Sequence, residues 1–473
     1  MGNIAIAGTT ADGRRRAKIP RTGIRRPSTP HASNAIAASD ARIDPRLRLV
    51  GLAFMWVVVF SSFFVIYEPA PYEFLSLAAI VTAFMFGMTV PRPAIPMIIL
   101  LVVYVAGGFI GVFIAPDFSE ALFQISVTLF LALTTLLFAC YLHHDTLTRM
   151  QLVISALQIG AIFAVAAGVI GYFNIAGTAE LFTLYDRARG TFQDPNVFGP
   201  YVTGAAVFAI YSVLSRPVAQ WGWPLFVLAV CALGILLSFS RGAWGYTAYA
   251  AGVVTVLHFS LTNDVKEKLR IIFLAVAGLM LMTVGFVIAI SIPAIAELFE
   301  VRANLIQNYD GGELGRFGRI FRGFAFSIEY PLGLGAFGFK EIFGIDPHNV
   351  YLNALLTHGW AGFFAYTTLV FLTAYQLLRV VLFCPPLRSV AVPVFALFTG
   401  LMLVGTFIDT DRWRQFFMLL GISWGIISAS LAETYRLDRP QRAETSSVKR
   451  SHKQLRSPRA TDMHISSERS AAR

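Results

Sequence analysis

Charge is scarce in this chain. Asp, Glu, Lys and Arg make up only 14% of its 473 residues, against 56% hydrophobic. A soluble globular protein carries about 25% charged residues. The deficit excludes water as the solvent for most of the chain. It makes the spanning helix, roughly 20 mostly apolar residues, the natural unit of organisation. Cysteine is scarcer still: Cys140, Cys231 and Cys384 stand in or at the end of apolar segments, none in metal-ligand spacing. Neither a disulfide framework nor a zinc site is implied. A signal peptide is also missing from the expectation, because the first apolar run begins near Leu49 and is long enough to span.

The charge that does exist is confined. The chain carries a net +11, yet residues 1–48 hold ten Lys/Arg against three acids and residues 433–473 hold ten against five. The stretch between them is close to neutral. Two basic tails whose only aromatic is Tyr435 argue against a nucleic-acid partner and for the positive-inside rule. Both tails, 1–47 and 433–473, lack helical periodicity and are expected to be disordered and cytoplasmic.

Between the tails the hydropathy marks twelve spans: roughly 48–67, 74–91, 96–115, 121–142, 151–173, 197–215, 220–238, 242–260, 271–292, 360–379, 388–408 and 414–432. Starting inside and alternating, the inner loops collect Arg92, Arg149, Arg216, Lys266, Lys268, Arg270, Arg379 and Arg388. The short outer loops Glu68-Pro-Ala-Pro-Tyr-Glu73 and Pro116-Asp-Phe-Ser-Glu120 hold no base. The charges agree with this orientation. Two outer loops, about 174–196 and 293–359, are longer than connection requires, a sign of function. An amphipathic helix is expected around Arg319–Glu329.

On the outer face the charge pattern inverts. Arginines appear in Asp186-Arg-Ala-Arg-Gly-Thr-Phe-Gln-Asp-Pro-Asn196, in Ser238-Phe-Ser-Arg-Gly242, at Arg302, Arg316, Arg319 and Arg322, and in Asp409-Thr-Asp-Arg-Trp-Arg414. Each alone reads as a side chain snorkelling at the interface. Arg241 fits that reading least, standing in a tight turn between long apolar runs, where an ionisable residue is a functional hypothesis. Guanidinium binds phosphate bidentately and stays charged, so several converging arginines suggest a diphosphate site.

His348, in Asp346-Pro-His-Asn-Val-Tyr-Leu-Asn353, is either a capping surface histidine or a general base. Its place on the same face as the arginines favours the base. His358 reads as structural, and His143, His144 and His258 as interfacial on the inner side. Gly333-Leu-Gly-Ala-Phe-Gly338 has dinucleotide-binding spacing but no strand–helix unit around it, and reads as a tight turn leading to His348. Asp409-Thr-Asp411 lies outside, where a nucleotide-sugar metal site has no place.

Taken in order, Arg187-Ala-Arg-Gly-Thr-Phe-Gln-Asp-Pro-Asn196 with Gly199, Ser238-Phe-Ser-Arg-Gly242, and His348-Asn-Val-Tyr-Leu352 with Gly359 and Gly362 resemble the O-antigen ligase family. These are membrane glycosyltransferases that include polysaccharide polymerases. The resemblance covers roughly residues 48–432. It implies an all-α polytopic bundle of about twelve spans in a bacterial inner membrane, with a large, partly helical periplasmic loop. It implies a glycan donor on undecaprenyl diphosphate, and a lipid A core or lipid-linked glycan as acceptor. Neither cofactor nor metal is needed. Arg241 and one of Arg187 or Arg189 would hold the diphosphate, with Arg319 a further candidate and Asn196, Asn349 and Arg412 in support. His348 would be the general base. A polymerase shares the framework and differs in its acceptor. A transporter is disfavoured, because its ionisable groups would gather near the midplane, whereas these spans are nearly free of charge.

Overall fold

The computed structural model describes residues 45–293, 296, 297, 299 and 316–432. Residues 1–44, the tail 433–473, Arg302 and the side chain of Arg316 lie outside the described part. The chain divides into two compact units, residues 1–51 and 52–473, and of the first only the opening of helix α1 is described.

The described chain is almost entirely helical. In order the helices are α1 (Pro45–Ser61), α2 (Pro71–Met85), α3 (Ile95–Val112), α4 (Phe118–His143), α5 (Thr146–Tyr172), α6 (Pro195–Ser215) and α7 (Gly222–Leu237). There follow α8 (Arg241–Leu261), α9 (Val265–Ile290), α10 (Arg316–Glu329), α11 (Gly338–Phe343), α12 (Val350–Phe383), α13 (Arg388–Val404) and α14 (Arg414–Ala432). The tail expected to run to residue 47 gives way to helix at Pro45, since proline is preorganised for the first helical position.

Each of the twelve segments marked by hydropathy holds a helix, but they are not equal. Eight helices among the described residues are long and apolar enough to cross a membrane: α3, α4, α5, α6, α9, α12, α13 and α14. The apolar helices α2 and α7 have 15 and 16 residues, short of the ~20 a span needs. Polar side chains begin several of the long ones. Asp117 caps α4 by accepting from Glu120 N at 2.8 Å, and Asp194 caps α6 by accepting from Asn196 N at 2.6 Å. Asn349 caps α12 by accepting from both Tyr351 N and Leu352 N at 3.0 Å.

Two departures from an all-helical reading matter for the site. The connection before α6 contains a small antiparallel hairpin, Thr183–Leu184 with Arg187–Ala188. Tyr185 and Asp186 turn it with φ of 52° and 57°, the left-handed pair of a two-residue hairpin loop. The second departure lies inside α12, which runs for 34 residues but breaks at Gly359, where φ is 66° and ψ −175°. The segment 331–334 fills the break: Leu334 N donates to Leu356 O at 2.7 Å, and Trp360 N to Pro331 O at 3.1 Å. Gly333 and Gly335 do turn with positive φ. Gly333 seats the loop against α12 and Gly335 seats it against the end of α3, however, and α11 intervenes before His348. The span expected from residue 360 thus begins at the break, and the ten residues before it, assigned to loop, are helical.

Beside this break α3 approaches α12 very closely. A Cβ on Gly107 would stand 2.5 Å from His358 O, and one on Gly111 would stand 2.4 Å from Thr357 O. Small residues permit such backbone contact between apolar helices. His358 is buried there, its ring stacked on Tyr104 at 3.9 Å and its Nδ1 2.9 Å from Tyr104 O. It is a packing residue, as its sequence context suggested.

Candidate active site at one end of the bundle

The hairpin sets the first element of the site. Leu184↔Arg187 pairing turns the Arg187 side chain inward, where it is 6% exposed. Its Nε donates to Ser238 O at 2.8 Å and its Nη2 to Asn196 Oδ1 at 2.9 Å. Asn196 Oδ1 also accepts from Ser240 Oγ at 2.9 Å, and Ser240 Oγ caps α8 by accepting from Ala243 N at 3.3 Å. Arg187 therefore ties three pieces together: the hairpin, the start of α6 and the α7–α8 turn. That turn is sharp, with Phe239 at φ 44°, and delivers Arg241, half-buried, as the first residue of α8.

Arg189 serves a different purpose. Its Nη1 and Nη2 donate to Gln193 O at 3.3 Å and Glu180 O at 3.0 Å, stapling its own loop. The two arginines that sequence left equivalent are thus distinct: Arg187 reaches the turn that carries Arg241, and Arg189 does not.

The connection between α13 and α14 joins this cluster to His348. A Cβ on Gly242 would meet Ile408 Cδ1 at 3.5 Å, so the 405–413 turn lies against the start of α8. On its other side the same turn holds the start of α12. Gly405 O accepts from Val350 N at 2.8 Å, Thr406 O accepts from Asn349 Nδ2 at 3.2 Å, and Asp411 Oδ2 accepts from Asn353 Nδ2 at 2.8 Å. His348 itself has φ 51° and places Nδ1 3.6 Å from Asp409 Oδ2. A non-glycine residue held left-handed is a strained arrangement of the kind that clusters at functional sites.

Other expected residues fall around this core. Gly323 of α10 packs on Leu352, and Trp360 Nε1 donates to Ser327 O at 2.9 Å, so α10 and α12 run the same way. Arg319, one turn before Gly323 and buried, accordingly lies beside the start of α12. The amphipathicity of α10 is inverted relative to a water-facing helix: Arg319, Gly323 and Ser327 face the protein while Phe321, Phe324 and Ile328 are exposed. Arg412 is exposed on the 405–413 turn. Arg414 pairs with Glu68 at 2.8 Å and with Glu73, holding the α1–α2 connection to α14.

The helices that start here are α6, α8, α12 and α14. Gln415 Nε2 donates to Val197 O at 3.4 Å, which joins the first and last of these starts. Helix N-termini carry partial positive charge and favour anions. Four of them, with Arg187, Arg241 and Arg319, make this end of the bundle suited to a polyanion. Among the described residues no group of three metal-binding side chains occurs.

Asp409 and Asp411 carry no signal in the sequence beyond an Asp-x-Asp spacing on the side where a nucleotide-sugar metal site has no place. Asp411 is buried, and burial, opposed by Arg412 and reinforced by Asp409, pushes its carboxyl up to about 6 from 3.8. The sign follows from linkage: the folded state binds the proton more tightly than the unfolded chain. The group's stabilising influence is therefore complete below pH 3.8 and is lost as pH rises to about 6. Asp411→Asn should preserve the Asn353 contact and remove this loss. Thermal midpoints compared between pH 4 and 7 should show the variant gaining on the wild type up to pH 6 and level thereafter. A constant difference across that range would exclude a titrating Asp411.

Comparison with protein-family models and with curated protein sequences yields no match.

Proposed function

We propose that the chain is a membrane glycosyltransferase moving a glycan from undecaprenyl diphosphate to a hydroxyl acceptor, most specifically an O-antigen ligase of lipopolysaccharide assembly. The observation that carries this reading is the single turn, 405–413, bridging the Arg241 segment to His348 at one end of an apolar helical bundle. The proposal includes twelve spans, both termini in the cytoplasm, and the site on the periplasmic side. The short helices α1, α2 and α7 would cross with help from their flanking segments, and α8, 21 residues long but less apolar than the eight, would be the twelfth span.

Each residue then has a task. The lipid tail of the donor stays in the bilayer and its diphosphate meets Arg241, oriented by the Arg187 strut, with Arg319 nearby. His348 takes the proton from the acceptor hydroxyl as that oxygen bonds to the anomeric carbon. The bond from this carbon to the phosphate oxygen breaks, and its electron pair leaves with undecaprenyl diphosphate. Arg241 and the helix N-termini stabilise that developing charge. Asp409, beside His348 Nδ1, orients the ring so that Nε2 faces the acceptor. The donor is already activated, so neither a nucleotide nor a metal enters the scheme.

Deletion of the gene, with complementation by wild type and by Arg241→Ala, tests the reading. Lipopolysaccharide and secreted polysaccharide are resolved by size, with the protein quantified in membranes. The expected result for deletion and variant is lipid A without long chains, with lipid-linked polymer accumulating. Accumulation of single repeat units instead would assign the polymerase reaction to the same site. Normal glycans in the deletion strain or in the variant would overturn the assignment.

A further inference from the structure

At the opposite end of the bundle lies a second polar feature that the proposed reaction does not use. A cavity of about 210 Å³ opens between the end of α6, the end of α8, the start of α9 and the start of α13. Tyr211, His258, Thr262, Glu267, Arg388 and Val392 line it. This end is opposite because α6 and α8 begin at the Arg241 cluster and finish here, while α13 begins here and finishes at the 405–413 turn.

The wall is built and its charges are fixed. Arg388 donates from Nε to Val381 O at 2.9 Å and from Nη2 to Leu382 O at 2.7 Å, capping the end of α12. Glu267 accepts from Thr262 Oγ1 and stands 3.3 Å from His258 Nε2, whose ring packs edge-on to Tyr211 at 5.4 Å. Glu267 and Arg388 therefore line one cavity, each anchored by other groups, and no ion pair among the described residues joins them. Tyr211 lies in the field of both.

A cavity holding a carboxylate and a guanidinium apart suits a ligand that carries both charges. Its volume, below the ~300–1,000 Å³ typical of sites for larger ligands, matches a headgroup-sized ligand better than a glycan chain. Its position at the ends of the candidate spans α6, α9 and α13 is where lipid headgroups meet protein. We propose that this cavity binds the headgroup of a zwitterionic phospholipid bearing a primary ammonium, with the ammonium against Glu267 and the phosphate against Arg388. The site is independent of the glycosyltransferase reading.

Native mass spectrometry of the full chain in detergent, titrated with phosphatidylethanolamine, phosphatidylcholine or phosphatidylglycerol, tests it. A primary ammonium donates to Glu267 and a trimethylated one does not. Phosphatidylethanolamine should therefore be retained roughly tenfold better than phosphatidylcholine. Glu267→Gln, which keeps the side chain's shape, should abolish that preference, and Val392→Phe, which fills the cavity, should lower retention. Equal retention of the three lipids by wild type would overturn the proposal, as would an unchanged preference in Glu267→Gln or unchanged retention by Val392→Phe. Displacement of the lipid by free phosphoethanolamine at matching concentration would also overturn it, assigning the cavity to a soluble zwitterion.

Discussion

Replacing His348 by alanine is expected to leave the bundle assembled and to lower glycan transfer by about 10²–10⁴-fold, the usual contribution of a positioned general base. The structure separates the two effects. His348 precedes α12 and its side chain is 39% exposed. Its Nδ1 approaches Asp409 Oδ2 at 3.6 Å. The start of α12 is held by other groups: Asn349 caps it and docks it on Thr406, and Asn353 docks it on Asp411. Truncating the imidazole therefore removes the proposed base and leaves those docking bonds in place. Turnover measured in membrane vesicles with lipid-linked donor, beside the thermal midpoint of the purified variant, reads both quantities. Near-wild-type transfer by a well-folded His348→Ala protein would remove this residue from the mechanism.

Asp409 gives that experiment an internal control. If its role is to orient the ring, Asp409→Asn should reduce turnover less than His348→Ala does. The double variant should then be no worse than His348→Ala alone, because groups that act as a unit are not additive. Additive losses would mean that Asp409 acts separately.

The helices were legible because apolar runs of spanning length have few alternatives in a chain so poor in charge. Their ends were less legible. Pro45 starts α1 earlier than hydropathy indicates, and Gly359, which looked like a loop boundary, is a break within one long helix. Whether a glycine ends a helix or kinks it depends on what fills the gap, here the segment 331–334, more than twenty residues away in sequence. The hairpin 183–188 was invisible because two-residue strands carry no alternating pattern. The site residues were legible as types and not as roles. Arg187 and Arg189 are indistinguishable in sequence, and burial against the α7–α8 turn, some fifty residues away, separates them. Asp409 and Asp411 take their meaning from His348 and Asn353 across about sixty residues of chain.

Arg187→Ala should behave unlike the other arginine variants: it should cost stability before it costs chemistry. The side chain is buried, and its Nε and Nη2 join Ser238 O and Asn196 Oδ1. Truncation leaves the Ser238 carbonyl and one acceptance site of Asn196 without their donors in a buried setting. Removing a charged hydrogen-bonding group there costs on the order of 3 kcal/mol. Because Asn196 also receives Ser240 Oγ, the cap of α8, the loss spreads to the segment that presents Arg241. Arg187→Lys should not rescue it, since a single ammonium cannot span the two acceptors in a planar fork. Arg241→Ala, at a half-buried first helical position, should retain more of the wild-type thermal midpoint while losing transfer. Thermal midpoints and turnover of the three variants, measured together, check this order. If Arg187→Ala melts with the wild type yet loses donor binding, the residue is a diphosphate ligand in its own right and not the strut that positions Arg241.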